Sequence, residues 1–329
     1  MKNPFFFFLF PFLSRRLVTP KACKGGSNIL LAFLCVGGFL FSLSLFASEI
    51  IEVQLPKADT LILVPYATFD YEEINESSAI IKSRVWENVY WTLNDSGDKN
   101  RIFPFTRDGK VLKAEWYKEQ AGVYIGGAVN IDWEDMATDN EGNLIIGACG
   151  NNGNARRDLA IYIFKDPFPE FTGTTRILKK ILFYYPEQTE YPARIRNFDS
   201  EALFFAFGNI YLLTKHRDDE NTCLYRFDSI DPLKENPVTK IGTFNIRGMV
   251  TAADATPDGK TLVVLTYNSI WLFESDTDDY FNGNIYWLPI KAKQCEAICF
   301  DDDKTLIITN EQMELFEVQV EKLIKIRNR

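Results

Sequence analysis

The chain is poor in the residues from which zinc sites and disulfide frameworks are built. It holds one histidine, His216, and six cysteines among 329 residues. Zinc sites need several His or Cys ligands at close spacing, and the chain has neither a Cys-x-x-Cys pair nor a second histidine. A domain of this length does not need disulfides for its stability. We therefore expect the cysteines after residue 48 to be small buried hydrophobic residues.

Several signatures of nucleotide and ester chemistry are also missing. There is no glycine-rich phosphate loop and no Gly-x-Ser-x-Gly nucleophile elbow. The run Asn94-Asp95-Ser96-Gly97-Asp98 is similar to part of a calcium loop, but it lacks the glutamate that completes the EF-hand pattern. A plain turn explains the same run without a metal. Function must therefore be inferred from the architecture and from the residues that it brings together.

Positive charge is scarce. The chain has 36 Lys and Arg against 45 Asp and Glu, a net charge of −9. Five of the basic residues and none of the acidic ones precede residue 49, so the rest of the chain is more acidic still. Binding to phosphate backbones requires clustered Lys and Arg, so nucleic acid is not an expected partner. Cations or cationic partners suit this surface better.

Two apolar runs occupy the N-terminus. Residues 4–13 are too short to span a bilayer, whereas residues 28–47 approach the roughly 20 residues required. Basic residues precede the second run, which predicts a cytoplasmic N-terminus and an exported remainder. We expect residues 1–48 to be a signal peptide or a signal anchor, with residues 28–47 in the membrane if uncleaved. Residues 49–329 are then one domain, periplasmic or on the outer surface.

A repeat of four short strands follows residue 75. Apolar and polar residues alternate with period two, and the pattern recurs every 40 to 65 residues or so, which is typical of propeller blades. Five units are legible, with first strands that begin at Glu76, Asp132, Asp199, Thr251 and Gln294. The sequence therefore predicts an all-β fold, a β-propeller of four-stranded antiparallel blades, with five blades and six as the alternative.

Two details of the repeat can be checked against the structure. In the first unit we assign residues 111–117 to the fourth strand. Residues 50–74 contain strand-like pieces, which are expected to complete the last blade and close the ring or to supply part of a sixth blade.

Blade geometry predicts where polar residues gather. The start of an innermost strand and the loop between the second and third strands lie on one face of a propeller, here called the rim. Converging carboxylates repel one another and need a compensating charge or hydrogen-bond donors. Oxygen ligands suit Ca²⁺ or Mg²⁺. We predict four metal ligands on the rim, namely Asp132, Glu134, Asp199 and Glu201. Alternatively, strand-start carboxylates accept backbone N–H bonds and join neighbouring blades.

Other rim residues are candidates for ligand binding and catalysis. The expected ligand-binding residues are Asn94, Asp95, Asp98, Asn151, Arg156, Arg157 and Glu296. Lys215 and His216 are the catalytic candidates: His216 as a general acid or base or an anion-binding group, and Lys215 as a cation beside the acidic residues. For His216, a solvated surface position is the alternative.

Two motifs resemble those of an uncharacterised family of exported bacterial β-propellers. They are Asn94-Asp95-Ser96-Gly97-Asp98 and Asn130-Ile131-Asp132-Trp133-Glu134-Asp135, and the resemblance covers roughly residues 75–315. That family continues with Gly-Asp-x-Gly-Asp-Asn, where this chain has Ala148 and Asn151 in place of the aspartates. Short Asp-x-Glu starts are distantly similar to esterase-like phytase propellers, whose relatives use calcium in phosphate-ester hydrolysis. This second resemblance implies a calcium-assisted hydrolase.

Two functions follow from these observations. The first is an exported propeller that binds a small molecule, a glycan or a protein at its acidic rim. The second is a Ca²⁺- or Mg²⁺-assisted hydrolase of phosphate or carboxylic esters, in which the cation polarises the ester and lowers the pKa of a water molecule. In that case Lys215, His216, Arg156 or Arg157 would hold the anion. Cation uptake and ester turnover distinguish the two.

Overall fold

Short strands form nearly all of the regular structure. The computed structural model describes residues 49–95, 97–113, 121–170 and 172–328. These residues form 24 β-strands and two 3-10 turns, Tyr280–Asn282 and Val320–Lys322. Abundant β-branched and aromatic residues favour pleated, half-buried surfaces, which explains the strand content. The all-β prediction is confirmed.

The strands follow one another in five antiparallel meanders. Three two-residue strands come first: β1 (Ile50–Ile51), β2 (Leu61–Ile62) and β3 (Ala67–Thr68). The first meander is β4 (Ser77–Lys82), β5 (Tyr90–Asn94), β6 (Arg101–Phe105) and β7 (Val123–Gly126). The second is β8 (Asp135–Thr138), β9 (Asn143–Ala148) and β10 (Ala160–Lys165), then, after the short β11 (Thr174–Arg176), β12 (Lys179–Tyr184).

The remaining meanders repeat this order. The third is β13 (Ser200–Ala206), β14 (Asn209–Thr214), β15 (Asn221–Phe227) and β16 (Asn236–Asn245). The fourth is β17 (Val250–Ala255), β18 (Thr261–Thr266), β19 (Ser269–Glu274) and β20 (Asn284–Lys291). The fifth is β21 (Cys295–Asp302), β22 (Thr305–Asn310) and β23 (Glu314–Gln319), and β24 (Ile324–Arg327) pairs with β20.

The first strands of the meanders form a closed cycle. Strand β4 contacts β8, β8 contacts β13, β13 contacts β17, β17 contacts β21, and β21 returns to β4. A cycle of innermost strands with outward meanders is propeller-like, and it leaves few exposed sheet edges.

The segment before the first meander completes other sheets. Strand β3 pairs antiparallel with β23, with Thr68 opposite Glu314, and so supplies the fourth strand of the fifth meander. Strand β1 adds in parallel to β16, and β2 adds in parallel to β20. The expectation that residues 50–74 complete the last unit therefore agrees with the pairing.

The fourth strand of the first meander is not where the sequence pattern put it. Val123–Gly126 pairs with β6, whereas Val111 forms only an isolated bridge with Phe105. The rest of the assigned strand, residues 114–117, lies outside the described residues. Apolar and polar residues alternate equally well in residues 111–117 and in Val123–Gly126, so periodicity alone did not identify the true fourth strand.

The cores lie between neighbouring meanders. One aromatic-rich cluster joins the third and fourth meanders, and it includes the fully buried Trp271 together with Phe204 and Phe244. Further clusters join the second to the third, the fourth to the fifth, and the first to the second and fifth. Each interface buries large side chains, so the meanders form one packed body.

Two buried carboxylates connect the innermost strands. In β8, Oδ2 of Asp135 accepts hydrogen bonds from the backbone N–H groups of Leu203 at 2.9 Å and Ala253 at 3.2 Å. In β17, Oδ2 of Asp254 accepts one from Phe300 N at 2.9 Å. Asp135 is therefore turned away from the rim, and it has the blade-joining role named as the alternative for strand-start carboxylates.

The predicted export segment, residues 1–48, lies outside the described residues. Within the described ranges, no helix has the length and apolarity that crossing a membrane requires. The signal peptide or signal anchor, the domain boundary at residue 48 and the extracytoplasmic location all stay predictions.

Candidate functional site

Loops from the first and second meanders position the candidate site. Asp95 follows β5, Asp132 and Glu134 precede β8, and Gly150 lies in the loop between β9 and β10. The Asn130 side chain donates to Asp95 O at 3.1 Å and ties the first loop to the second. Buried Trp133 donates from Nε1 to Val129 O at 3.0 Å, which fixes the turn that carries the carboxylates.

Asp95, Asp132 and Glu134 form an acidic cluster. One carboxylate oxygen from each residue lies within 4.8 Å of the others. Glu134 is only 5% exposed, whereas the other two are half-buried. Asp132 has a left-handed backbone with φ 58°, a conformation that Asp tolerates better than most residues. The three oxygens are placed as a small oxygen-ligand set would be.

The electrostatics of the acidic cluster call for a compensating positive charge. Burial raises the pKa of Glu134 well above its usual range, and the carboxylates of Glu201, Asp95 and Asp132 raise it further. Burial also raises the pKa of Asp132, although Arg156 opposes the shift. Either a proton or a cation can offset this charge.

Gly150 forms the floor beneath the acidic cluster. Its N–H donates to Asp132 O at 3.3 Å, and its carbonyl accepts a hydrogen bond from Arg156 Nη1 at 2.6 Å. A Cβ at this position would meet Oε1 of Glu134 and would lie 2.6 Å from Oδ2 of Asp132. Glycine here lets both carboxylates lie against the backbone. Arg156 thus holds the loop through its carbonyl groups, with Ile131 O at 3.0 Å as a second acceptor.

The other two predicted metal ligands are held by basic side chains. Asp199 is fully buried and pairs with Arg217 at 2.7 Å, and its other oxygen accepts from Asn151 N at 2.6 Å. Glu201 pairs with Lys215 at 2.9 Å and with Arg217 at 3.1 Å. These contacts neutralise both carboxylates. The structure therefore separates the four predicted ligands into two sets, and it adds Asp95 to Asp132 and Glu134.

Lys215 is a buried ion-pair partner. Its Nζ lies 2.9 Å from Glu201 and donates to Tyr267 Oη at 2.9 Å. Burial alone would lower the pKa of Lys215, but Glu201 and Tyr267 outweigh it and raise the pKa above its usual range. Tyr267 in turn donates to Glu296 Oε1 at 3.1 Å, which extends the contacts to the fifth meander. The predicted catalytic role of Lys215 stays untested, and its geometry is that of a fixed cation.

Several predicted ligand-binding residues organise the loops. Asn94 donates to Glu73 O at 2.6 Å, and Asp98 pairs with Arg101 at 2.9 Å. Asn151 donates to Phe198 O and accepts hydrogen bonds from the N–H groups at positions 155 and 156. Protein partners therefore occupy these side chains.

Two further candidates lie at the surface. Arg157 is exposed and stacks over the ring of Tyr191 at 3.9 Å. Glu296 accepts a hydrogen bond from Gln294 at 2.8 Å, and the same amide reaches Glu311 at 2.6 Å. Both are accessible to a ligand, one on the loop that follows β9 and one on β21.

The sequence analysis gave Arg217 no role, although period-two alternation could have identified it. Lys215 and Arg217 both face the carboxylates of Glu201, whereas His216 between them does not contact the acidic cluster. His216 is 4% exposed and lines a separate cavity, so the alternative of a solvated surface histidine is wrong. Side chains on alternate positions of an extended chain point to opposite sides. The same rule separates Glu134 from Asp135.

Buried acids away from the acidic cluster predict a pH effect on stability. Burial raises the pKa of both Asp166 and Asp254 to about 6 from a usual 3.8. The folded chain then binds more protons than the unfolded chain between about pH 4 and pH 6, so the free energy of unfolding falls as pH rises through this window. We expect a Tm several degrees higher at pH 4.5 than at pH 7, measured by thermal melting. Asp254→Asn should reduce that difference, and a Tm that rises with pH would contradict the assignment.

Comparisons with known proteins give no family. No family model and no curated protein matches the chain. Among solved structures, it is similar to hydrazine synthase of Kuenenia stuttgartiensis, with 9% identity, 75% of this chain and 72% of that chain covered, and a TM-score of 0.43. It is also similar to a functionally unknown protein from Desulfotomaculum acetoxidans, with 11% identity, 76% and 71% coverage, and a TM-score of 0.37. The resemblance to the exported propeller family stays a prediction.

Proposed function

We propose that this chain is an exported five-bladed β-propeller that binds its ligand on an acidic rim through a divalent cation. The cation ligands are Asp95, Asp132 and Glu134. Five meanders whose first strands contact one another in a cycle support the blade number. The observation that carries the site is the convergence of three carboxylate oxygens within 4.8 Å, with buried Glu134 among them.

Calcium or magnesium fits this set better than zinc. All three side chains offer oxygen, and hard divalent cations prefer oxygen ligands while keeping coordination positions for water or a ligand. A bound cation would offset the mutual repulsion that, with burial, raises the pKa of Glu134. Three protein oxygens leave positions open, so the cation can also bind an anionic or hydroxyl-bearing group of a small molecule, a glycan or a protein.

The surroundings of the acidic cluster favour binding over catalysis. Lys215 and Arg217 are paired with Glu201, and Arg156 donates to backbone carbonyls. These three cations are therefore not free to hold an ester anion. The hydrolase stays a prediction, and no specific contact favours it over binding.

Thermal melting with and without calcium tests the proposal. A ligand that binds only the folded state at 100 times its Kd adds about 2.7 kcal/mol, or roughly 5–10 °C in Tm for a domain of this size. We expect Ca²⁺ or Mg²⁺ to raise the Tm of the wild type and EDTA to reverse the rise. In Glu134→Gln the rise should fall to about half or less, because the amide removes one charged ligand. Without a cation this variant should melt no lower than the wild type, since a buried charge has gone.

A matched control separates the site from general charge effects. Glu141 is exposed on the turn between β8 and β9 of the same meander, so Glu141→Gln should keep the full calcium response. Calorimetry on the same proteins gives the affinity, which we expect to fall at least ~10-fold in Glu134→Gln (about 1.4 kcal/mol). An equal response of wild type and Glu134→Gln to Ca²⁺ and Mg²⁺ would refute the site.

A further inference from the structure

A second site candidate is a cavity beside the third meander. Its volume is about 430 Å³, and none of the acidic-cluster residues lines it. The loop between β12 and β13 forms one wall, while β15 and β16 form the other. The residues that matter for its chemistry are Asn197, His216, Cys223, Tyr225 and Lys240.

Asp219 fixes the orientation of the histidine. Its Oδ1 lies 2.7 Å from His216 Nδ1, and its Oδ2 accepts a hydrogen bond from Asn197 Nδ2 at 2.9 Å. The backbone N–H of Asn221 also donates to Oδ1, at 2.8 Å. A carboxylate on Nδ1 favours the tautomer that leaves Nε2 as a base. The imidazole is therefore held in one orientation, with Nε2 on the other side of the ring from Asp219.

Two buried polar atoms around this cavity have no protein partner. They are His216 Nε2 and Asn197 Oδ1, which make no hydrogen bond with any described residue. His216 is only 4% exposed, so water does not readily satisfy it from the surface. A buried polar atom without a partner costs about 1–3 kcal/mol. Because both residues line the same cavity, a ligand with polar groups would satisfy both atoms.

Cys223 lines the same cavity as His216. It is 4% exposed, and its Sγ lies 3.5 Å from Thr243 Oγ1. Burial alone would raise the pKa of the Cys223 thiol, but His216 and, more weakly, Lys240 outweigh it and lower the pKa. The thiol and Asp219 raise the pKa of His216 against the opposing effect of burial. A thiol beside an imidazole gains thiolate character in this way.

The other described cysteines provide an internal contrast. Burial raises the pKa of Cys149 and of Cys299 well above their usual range, and that of Cys295 to about 12. None of the three lines this cavity. The sequence predicted that the cysteines are small buried hydrophobic residues, and the structure distinguishes Cys223 from the other three by its neighbours.

We propose that Cys223 is a nucleophile with His216 as its base and Asp219 as the positioning residue, and that the cavity takes a small compound with an electrophilic carbon. The wall contains Ala193, Ile195, Phe198 and Tyr225, which suits an apolar body. His216 Nε2 and Asn197 Oδ1 suit a polar group on the same compound. This site is independent of the proposed cation site, because the two share no residue.

The covalent step balances within these groups. His216 Nε2 takes the proton of the Cys223 thiol, and the thiolate sulfur forms a bond to the electrophilic carbon. The bond from that carbon to its leaving group breaks, and the leaving group departs with the electron pair. It leaves as an anion or takes the proton back from Nε2. No oxidant, reductant or metal is needed.

Alkylation of the full-length, freshly reduced protein by iodoacetamide tests the assignment. Peptide mass spectrometry resolves the rate at each cysteine. We expect Cys223 to react at least ~10-fold faster at pH 7 than Cys149, Cys295 and Cys299, because the reactive species is the thiolate. His216→Gln should lower the Cys223 rate at least ~10-fold, and Asp219→Asn should lower it less. Equal rates at the four cysteines would overturn the proposal.

The controls keep the test decisive if a variant folds poorly. Asp218 precedes Asp219 and pairs with Arg196 at the surface, so Asp218→Asn should leave the Cys223 rate unchanged.

In the wild type, as the pH is lowered below 9, the ordinary thiol pKa, the alkylation rate at Cys223 should at first stay constant. It should fall only when the pH drops below the lowered pKa of this thiol. Besides Asp219, the charged residues Glu187, Glu190, Arg194 and Lys240 lie around the pair. Lys240 lowers the pKa of the Cys223 thiol, so Lys240→Gln should raise the pKa read from the rate profile slightly. A rate that falls tenfold per pH unit directly below pH 9 would refute the thiolate assignment.

Discussion

Replacing Asp135 by alanine is expected to destabilise the fold more than any other single carboxylate change. The side chain is fully buried, and its two oxygens accept from the backbone N–H groups of Met136, Leu203 and Ala253. Alanine leaves three buried donors without a partner. Each costs about 1–3 kcal/mol, so we expect a loss of at least about 3 kcal/mol and a fall in Tm of about 10 °C. Urea unfolding and thermal melting measure both.

Two variants make the Asp135 result specific. Asp135→Asn keeps the side-chain volume and can place its amide oxygen where Oδ2 accepts from Leu203 and Ala253, so it should lose only about 1–2 kcal/mol. Asp59 is exposed before β2, and Asp59→Ala should change stability by less than ~0.5 kcal/mol. If Asp135→Ala unfolded with the wild-type midpoint, the bridging role of this carboxylate would be refuted.

Gly150→Ala is expected to remove the response to divalent cations. The new Cβ would meet Oε1 of Glu134 and would lie 2.6 Å from Oδ2 of Asp132. Both carboxylates must then move away from the backbone, and the convergence of three oxygens is lost. We expect the affinity measured by calorimetry to fall at least ~100-fold (about 2.7 kcal/mol), so that calcium at about 100 times the wild-type Kd no longer raises the Tm appreciably.

The same loop offers a matched control. A Cβ at Gly153 would meet nothing within 4 Å, so Gly153→Ala should keep the wild-type calcium response. Both variants add one methyl group to the loop between β9 and β10, and they differ only in what that group touches. Wild-type cation affinity in Gly150→Ala would show that the acidic cluster does not hold the ion.

Much of the fold could be predicted because strand alternation is a local property. The first strands of all five meanders lie within a few residues of the predicted starts, as β4 at Ser77–Lys82 and β21 at Cys295–Asp302 show. The fourth strand of the first meander was misplaced, since residues 111–117 alternate as well as Val123–Gly126 does. The pairing of β12 with β16, with Phe183 opposite Asn236, joins two meanders at their outer strands and has no signal in either strand alone.

The candidate site was predictable in its members but not in their pairing. Blade geometry placed Asp95, Asp132 and Glu134 on one face, because that placement depends only on strand order. It could not show that Arg217 and Lys215 neutralise Glu201, since ion pairs depend on rotamers and distances. The sequence also did not show that His216 and Cys223 line one cavity, because His216 follows the end of β14 and Cys223 lies within β15.

The pairing of Thr68 with Glu314 has a consequence for the order of events during folding. Thr68 can find its partner only after the chain has been synthesised beyond Glu314. The contact spans some of the largest sequence separations in the chain, and such contacts slow folding. Strand β3 therefore stays unpaired until β23 has been synthesised, and it is accessible to proteases and to other chains during that time.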